Sequence, residues 1–148
     1  MKTLELKDIC GYLPYGVKVY LDGKSYTVTK WQNGSNNNML AQQDNGTSSL
    51  IFNSGRGDAK FILRPMSDLT EEITYRGEKF VPIDVFNDKG HFIEFDSAGL
   101  LYTTGGCMDS DWLMVLDKLN EWMFDYRGLI SAGLAIDVNT LPENPYER

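Results

Sequence analysis

The chain has 148 residues, a formal net charge of −7, and 42% hydrophobic and 12% aromatic residues. A chain of that length and composition can close one hydrophobic core without disulfides or metal, so a single globular domain over 1–148 is expected and disorder is disfavoured. The charge is lopsided, with 11 basic and 13 acidic residues over 1–103 against 3 and 8 over 104–148; such an acidic C-terminal third disfavours direct binding to nucleic acid or an anionic membrane, because affinity for phosphate comes from lysine and arginine.

Residues 4–10 can form one short helical turn, which Pro14 cuts off, and LPYG at 13–16 reads as a turn. Residues 17–31 carry the clearest β signal. Asp22-Gly23 suits a two-residue type I′ turn, in which both positions take positive φ. Folding there sets Leu21 opposite Lys24, Val19 opposite Tyr26 and Val17 opposite Val28. Alternation then gathers Val17, Val19, Leu21, Tyr26 and Val28 on one apolar face, and Lys18, Ser25, Thr27 and Thr29, joined by Tyr20 and Trp31, on the other.

The polar stretch 32–46 reads as a loop around a short element at 39–41, a strand or one helical turn. Residues 50–52 and 60–63 read as strands. Ser67 or Asp68 can cap a short helix whose first turn favours Glu71 and Glu72. Residues 73–75 lead into a turn at Arg76-Gly77-Glu78. Residues 80–86 read as extended, with Pro82 marking an edge or a bulge, and with strands at 91–95 and 100–104 they make a three-stranded meander.

The one long element is a helix over 109–127. Trp112, Leu116, Leu119, Met123 and Tyr126 recur at three- and four-residue steps, and Val115 and Trp122 widen that stripe. Asp109 or Ser110 can cap it, Asp111 suits its N-terminal end, and Gly128 offers a stop. Residues 129–138 should pack back on the core as a turn and a short segment, and 142–148 read as a frayed tail. The expected fold class is α+β, with antiparallel strands in a hairpin and a meander packed on one main C-terminal helix.

No catalytic signature stands out. The Trp- and Met-rich surface of this helix reads first as core, with Trp112 and Trp122 in the stripe; Met114 and Phe124 are more than one core face can use, and Trp112, Met114, Trp122 and Phe124 are together the candidate interface for a protein partner or a second copy of the chain. Cys107 lies just before the helix, where a thiol pKa can fall, and is the reactive-thiol candidate. It has no local signature, and His91 is the one histidine that could serve as its base. No cofactor or metal set is expected. His91 with two distant cysteines makes no zinc pattern, and Asp137-Val138-Asn139 lacks the remaining ligands of an oxygen-rich ion loop. Gly105-Gly106 does not complete a phosphate-binding motif, and Arg56-Gly57-Asp58 reads as a turn.

Cys10 and Cys107 are too few for a secreted disulfide scaffold and fit free thiols in a reducing compartment. The first ten residues hold no apolar run like a signal peptide, and no stretch of ~18 apolar residues could cross a membrane. A cytoplasmic location is expected.

Three stretches carry a family resemblance: LPYGVKVY at 13–20, FILRPMSDLTEEITYRGEKFVPID at 61–84 and LNEWMFDYRGLISAGLAIDVNTL at 119–141. Together they cover just over a third of the chain and resemble an uncharacterised group of small proteins from phages and prophages of Bacteroides-type bacteria. The resemblance implies a phage or prophage accessory protein acting inside a bacterial host, and carries over no catalytic or binding residue. Joined to the absent catalytic signature and the surplus aromatic residues, it makes protein–protein binding the expected function. A small enzyme using Cys107 or a carboxylate cluster, a virion structural component, and an acidic inhibitor of a host nucleic-acid enzyme are the alternatives.

Overall fold

The computed structural model describes residues 6–31, 38–43, 49–53, 60–88, 93–95, 101–103 and 109–147. A short helix α1 (Leu6–Ile9) is followed by a 3-10 turn at Leu13–Tyr15, which closes on Gly16 in the left-handed region at φ 78°. The chain then enters β1 (Lys18–Leu21) and reverses into β2 (Lys24–Trp31). Asp22 and Gly23 take φ of 51° and 79°, as the type I′ turn requires. The register is the one expected: Leu21 pairs with Lys24, Val19 with Tyr26, and the Val28 amide donates to the Val17 carbonyl at 3.0 Å. Val17, Val19, Leu21, Tyr26 and Val28 are all buried. Each buried side chain of that kind contributes about 1.5–3 kcal/mol to folding.

Strands β3 (Asn38–Gln43) and β4 (Ser49–Asn53) extend the sheet beyond β2 as an antiparallel meander, so residues 39–41 are strand. The β2–β3 register slips between Val28 and Lys30, leaving Thr29 as a bulge. On the other side β5 (Lys60–Leu63) pairs antiparallel with β1. Two small hairpins follow. One joins β6 (Ile73–Tyr75) and β7 (Glu78–Phe80) through Arg76 and Gly77, both at positive φ. Helix α2 (Pro82–Asp88) separates it from the second, β8 (Ile93–Phe95) with β9 (Leu101–Thr103). The main helix is α3 (Asp109–Glu121), and β10 (Ala135–Asp137) returns to the sheet parallel to β5. The six-stranded sheet has the order β10-β5-β1-β2-β3-β4, and the fold is α+β.

Four local expectations are corrected. Residues 82–88 are helical where an extended run was expected, so the three-stranded meander reduces to the β8–β9 pair. Proline is well placed in the first turn of a helix, because its fixed φ suits the helix and its missing N–H would have no partner there. The element after Pro65 is a 3-10 helix (Met66–Thr70) with Pro65 at its N-cap position and no side-chain cap. Asp68 is turned to longer-range work, facing Arg64 at 3.8 Å and accepting from Asn139 Nδ2 at 2.8 Å.

The main helix ends at Glu121, well short of Gly128. Met123 takes φ 63°, its amide donates to the Asn120 carbonyl at 3.1 Å, and the Phe124 amide donates to Leu119 at 2.8 Å. That is a Schellman stop, with methionine in the position glycine usually fills. Leu119 and Phe124, the two residues that normally make its hydrophobic contact, are both buried. The chain is then held extended, because Arg64 N–H donates to Met123 at 2.7 Å and Asp125 N–H donates to Arg64 at 2.8 Å. Asp125 carries the turn beyond, its carboxylate accepting from the amides of Leu129 and Ile130.

The C-terminal segment is not a frayed tail. Tyr146 is 5% exposed and joins the same core as Val19, Phe61, Leu119 and Phe124. Residues 141–147 form a strap, fixed where the amides of Arg76 and Gly77 donate to the carbonyls of Tyr146 and Glu147 at 2.9 and 2.6 Å.

Candidate functional site

The four candidate interface residues do not stay together. Trp122 is buried, its ring 4.9 Å from Phe80 and 5.6 Å from Phe86. Phe124 is fully buried. Both are therefore core: Trp122 continues the line of Val115 and Leu119, and Phe124 is brought in by the early stop of α3, where a continued helix would have carried it outward. Met114 is 46% exposed, next to Leu113 and Leu116. Trp112 lies in α3, with its side chain outside the described set. The buried line of the helix runs through Val115, Leu119 and Trp122, so Leu116, expected in the core stripe, faces outward.

Cys107 and His91 lie outside the described residues, as does the 56–58 tripeptide. Cys10 is an exposed free thiol whose Sγ lies 3.8 Å from the Lys7 carbonyl. Among the described residues no three His, Cys, Asp or Glu side chains gather as a metal site, and no helix is long and apolar enough to cross a membrane.

The concave features of the surface are organised by the strap. The Tyr146 hydroxyl accepts from the Lys18 amide and donates to the Ile62 carbonyl, both at 2.8 Å, so it joins the strap to β1 and β5 at once. The Tyr146 amide donates to Asn144 Oδ1 at 2.9 Å, which shapes the turn that delivers the ring. Pro142 and Pro145 remove two amide donors from this segment and narrow its conformations.

A groove of about 940 Å³ opens on one side of the strap. Its floor is the polar face of the β1–β2 hairpin, including Lys18, Tyr20 and Thr27, and its walls include Tyr15, Tyr75 and Tyr146. Lys18 Nζ donates to Thr27 Oγ1 at 2.8 Å and lies within the floor. Lys24 and Arg76 are exposed at the rim. The Arg76 guanidinium carbon lies 5.2 Å from the Tyr75 ring centre, and Nη2 donates to the Tyr15 carbonyl at 3.4 Å. The Tyr75 hydroxyl is buried with no partner, and burial raises its pKa. Among the described residues, three basic side chains line this groove against one acid, Glu143, on a chain of net charge −7.

A second concavity of about 750 Å³ also borders the strap, and Asp68, Glu71, Glu72, Glu143 and Glu147 line it together with Arg64. Neither concavity was visible in the sequence. Alternation places Lys18, Tyr20 and Thr27 on one face, but no local pattern in 142–148 predicts the strap that borders them. The available signal was Tyr146, a large aromatic residue in a segment that had no other reason to carry one.

Compared with protein-family models, with curated proteins and with solved structures, the chain matches none of them.

Proposed function

We propose that this chain is a non-enzymatic phage or prophage accessory protein, acting in the cytoplasm of a bacterial host by binding a protein partner, and that the larger groove receives an extended acidic segment of that partner. The observation that carries this reading is charge complementarity: a concavity with Lys18, Lys24 and Arg76, lined by tyrosines, on an otherwise acidic molecule. The half-buried Tyr15 and Tyr20 supply rigid contact area for a peptide, and rim cations select carboxylates. The phage context rests on the three stretches quoted above.

Selection from a random peptide display library tests the reading. Acidic peptides should be enriched on the native chain and lost on a Lys24→Glu/Arg76→Glu variant. Enrichment of basic sequences, or of acidic ones that bind the double variant equally well, contradicts it.

A second reading is self-association through α3, favoured by the exposure of Leu113, Met114 and Leu116. Light scattering tests it: a dimer that Leu113→Glu dissociates supports it, and a monomer at high concentration removes it.

A further inference from the structure

The β1–β2 and β6–β7 hairpins both turn on two residues at positive φ. The first uses Asp22-Gly23 at 51° and 79°, the second Arg76-Gly77 at 49° and 82°. Tyr75 pairs with Glu78, so Arg76 and Gly77 are the whole of the second loop. The first position of such a loop favours asparagine, aspartate or glycine. An arginine there brings its Cβ close to a carbonyl oxygen, without the short polar side chain that eases the left-handed region. The main chain does not require it. The Arg76 amide donates to the Tyr146 carbonyl at 2.9 Å, and any residue but proline supplies that donor. The backbone strain is therefore to be set against what the side chain does.

The side chain is held at the groove. Its guanidinium carbon lies 5.2 Å from the Tyr75 ring centre, and Nη2 donates to the Tyr15 carbonyl at 3.4 Å. These contacts use one face of the plane and one of its five N–H groups. Arg76 is exposed at the groove rim, and among the described residues no carboxylate pairs with it. It is a cation oriented by two contacts and neutralised by neither. The other groove cations differ. Lys18 Nζ already donates to Thr27 Oγ1 at 2.8 Å. Lys24 is exposed beside Gly23 and makes no hydrogen bond, ion pair or ring contact among the described residues, so holding a ligand would cost it most of its side-chain freedom.

We infer that Arg76 is the specificity-determining residue of the groove: it fixes one carboxylate of the bound segment, both oxygens meeting two parallel N–H bonds, while Lys24 attracts the segment without fixing it. The role rests on the reading of the groove as a site for an acidic peptide, and places the recognition on one cation. The guanidinium plane is set before the peptide arrives, so little side-chain freedom is lost on binding. Reaching it requires no movement of the strap, because the group is already exposed.

The test titrates the full chain with a capped hexaglutamate peptide and compares three variants. Arg76→Lys keeps the charge but loses the fork, and should weaken the peptide by about tenfold. Lys24→Ala should weaken it by no more than about threefold, as for an exposed, unheld charge. Arg76→Asn removes the guanidinium, keeps the amide that serves Tyr146 and gives the turn a residue type it favours. It should weaken the peptide by at least about tenfold while melting at or above the temperature of the parent chain. An Arg76→Asn variant that melts lower shows that the side chain serves the fold, and overturns the inference whatever the peptide does. Arg76→Lys binding as tightly as the parent, or Lys24→Ala costing as much as Arg76→Lys, also overturns it while leaving the acidic-peptide reading in place. No binding of hexaglutamate to the parent chain at millimolar concentration removes that reading, and the inference with it.

Discussion

The Tyr146 hydroxyl donates to the Ile62 carbonyl at 2.8 Å, a contact across 84 residues of sequence that fixes the C-terminal strap to the sheet. The same oxygen accepts from the Lys18 amide at 2.8 Å, so one side chain ties the strap to two neighbouring strands. Both concavities exist because the strap is held there.

Tyr146→Phe tests that tie with little change of shape. It leaves the Lys18 amide and the Ile62 carbonyl without the partner that the hydroxyl supplied, at a cost of about 1–3 kcal/mol. Urea unfolding should show a lower midpoint with an unchanged slope. Hydrogen exchange at Arg76 and Gly77, whose amides donate to the strap, should accelerate. Unchanged protection there means the strap does not depend on Tyr146.

Gly11 meets Asn120 closely. A Cβ placed on Gly11 would lie 2.6 Å from Asn120 Oδ1 and 2.9 Å from its Cγ. Asn120 cannot swing aside freely, since its Oδ1 accepts from the Tyr126 hydroxyl at 2.7 Å. Gly11→Ala should therefore destabilise by about 1–3 kcal/mol through overpacking. In an Asn120→Ala background the same change should cost much less. Equal costs in the two backgrounds would rule out this contact as the cause.

Alkaline pH should unfold the protein through Tyr12. Its ring is fully buried, its hydroxyl donates to the Phe124 carbonyl, and burial, with the nearby Tyr126 and Asp125, raises its pKa far above the ordinary value. Below the unfolded tyrosine value of about 10 the group is protonated in both states and its contribution is full. Above it the unfolded chain loses the proton and the folded chain keeps it, so stability falls by up to about 1.4 kcal/mol per pH unit. Tyrosinate absorbance should show Tyr12 ionising only with unfolding, and Tyr12→Phe should flatten the decline.

The two faces of α3 should respond differently. Leu119→Ala removes a buried side chain and should cost about 2–5 kcal/mol. Leu113→Glu, at a residue that is 65% exposed, should change stability by no more than about 0.5 kcal/mol. Thermal unfolding of both variants distinguishes this orientation of the helix from one that buries Leu113.

What was legible in the sequence was local. Asp22-Gly23 and the alternation of Val17, Val19 and Leu21 specified a turn, a register and a buried face together, and the hairpin follows all three. The start of α3 was legible through its periodicity, but its end was not. Glycine is the usual mark of a Schellman stop, and here Met123 takes the left-handed position, held by the Arg64 amide on its carbonyl. Residues 80–86 misled because a short apolar run with a proline suits an edge strand and the first turn of a helix equally well. The strap and the tyrosine-lined groove both depend on residues far apart in sequence, and no periodicity or turn signal encodes such convergence.

The most direct measurement for the central claim, that the groove beside the strap receives an acidic segment of a protein partner, is an NMR titration of the full chain with an acidic peptide chosen by display. The shifts should cluster on Tyr20, Lys24, Thr27, Arg76 and Tyr146, and should disappear in the Lys24→Glu/Arg76→Glu variant. Shifts that cluster instead on Leu113, Met114 and Leu116 would contradict the account and move the binding face to α3.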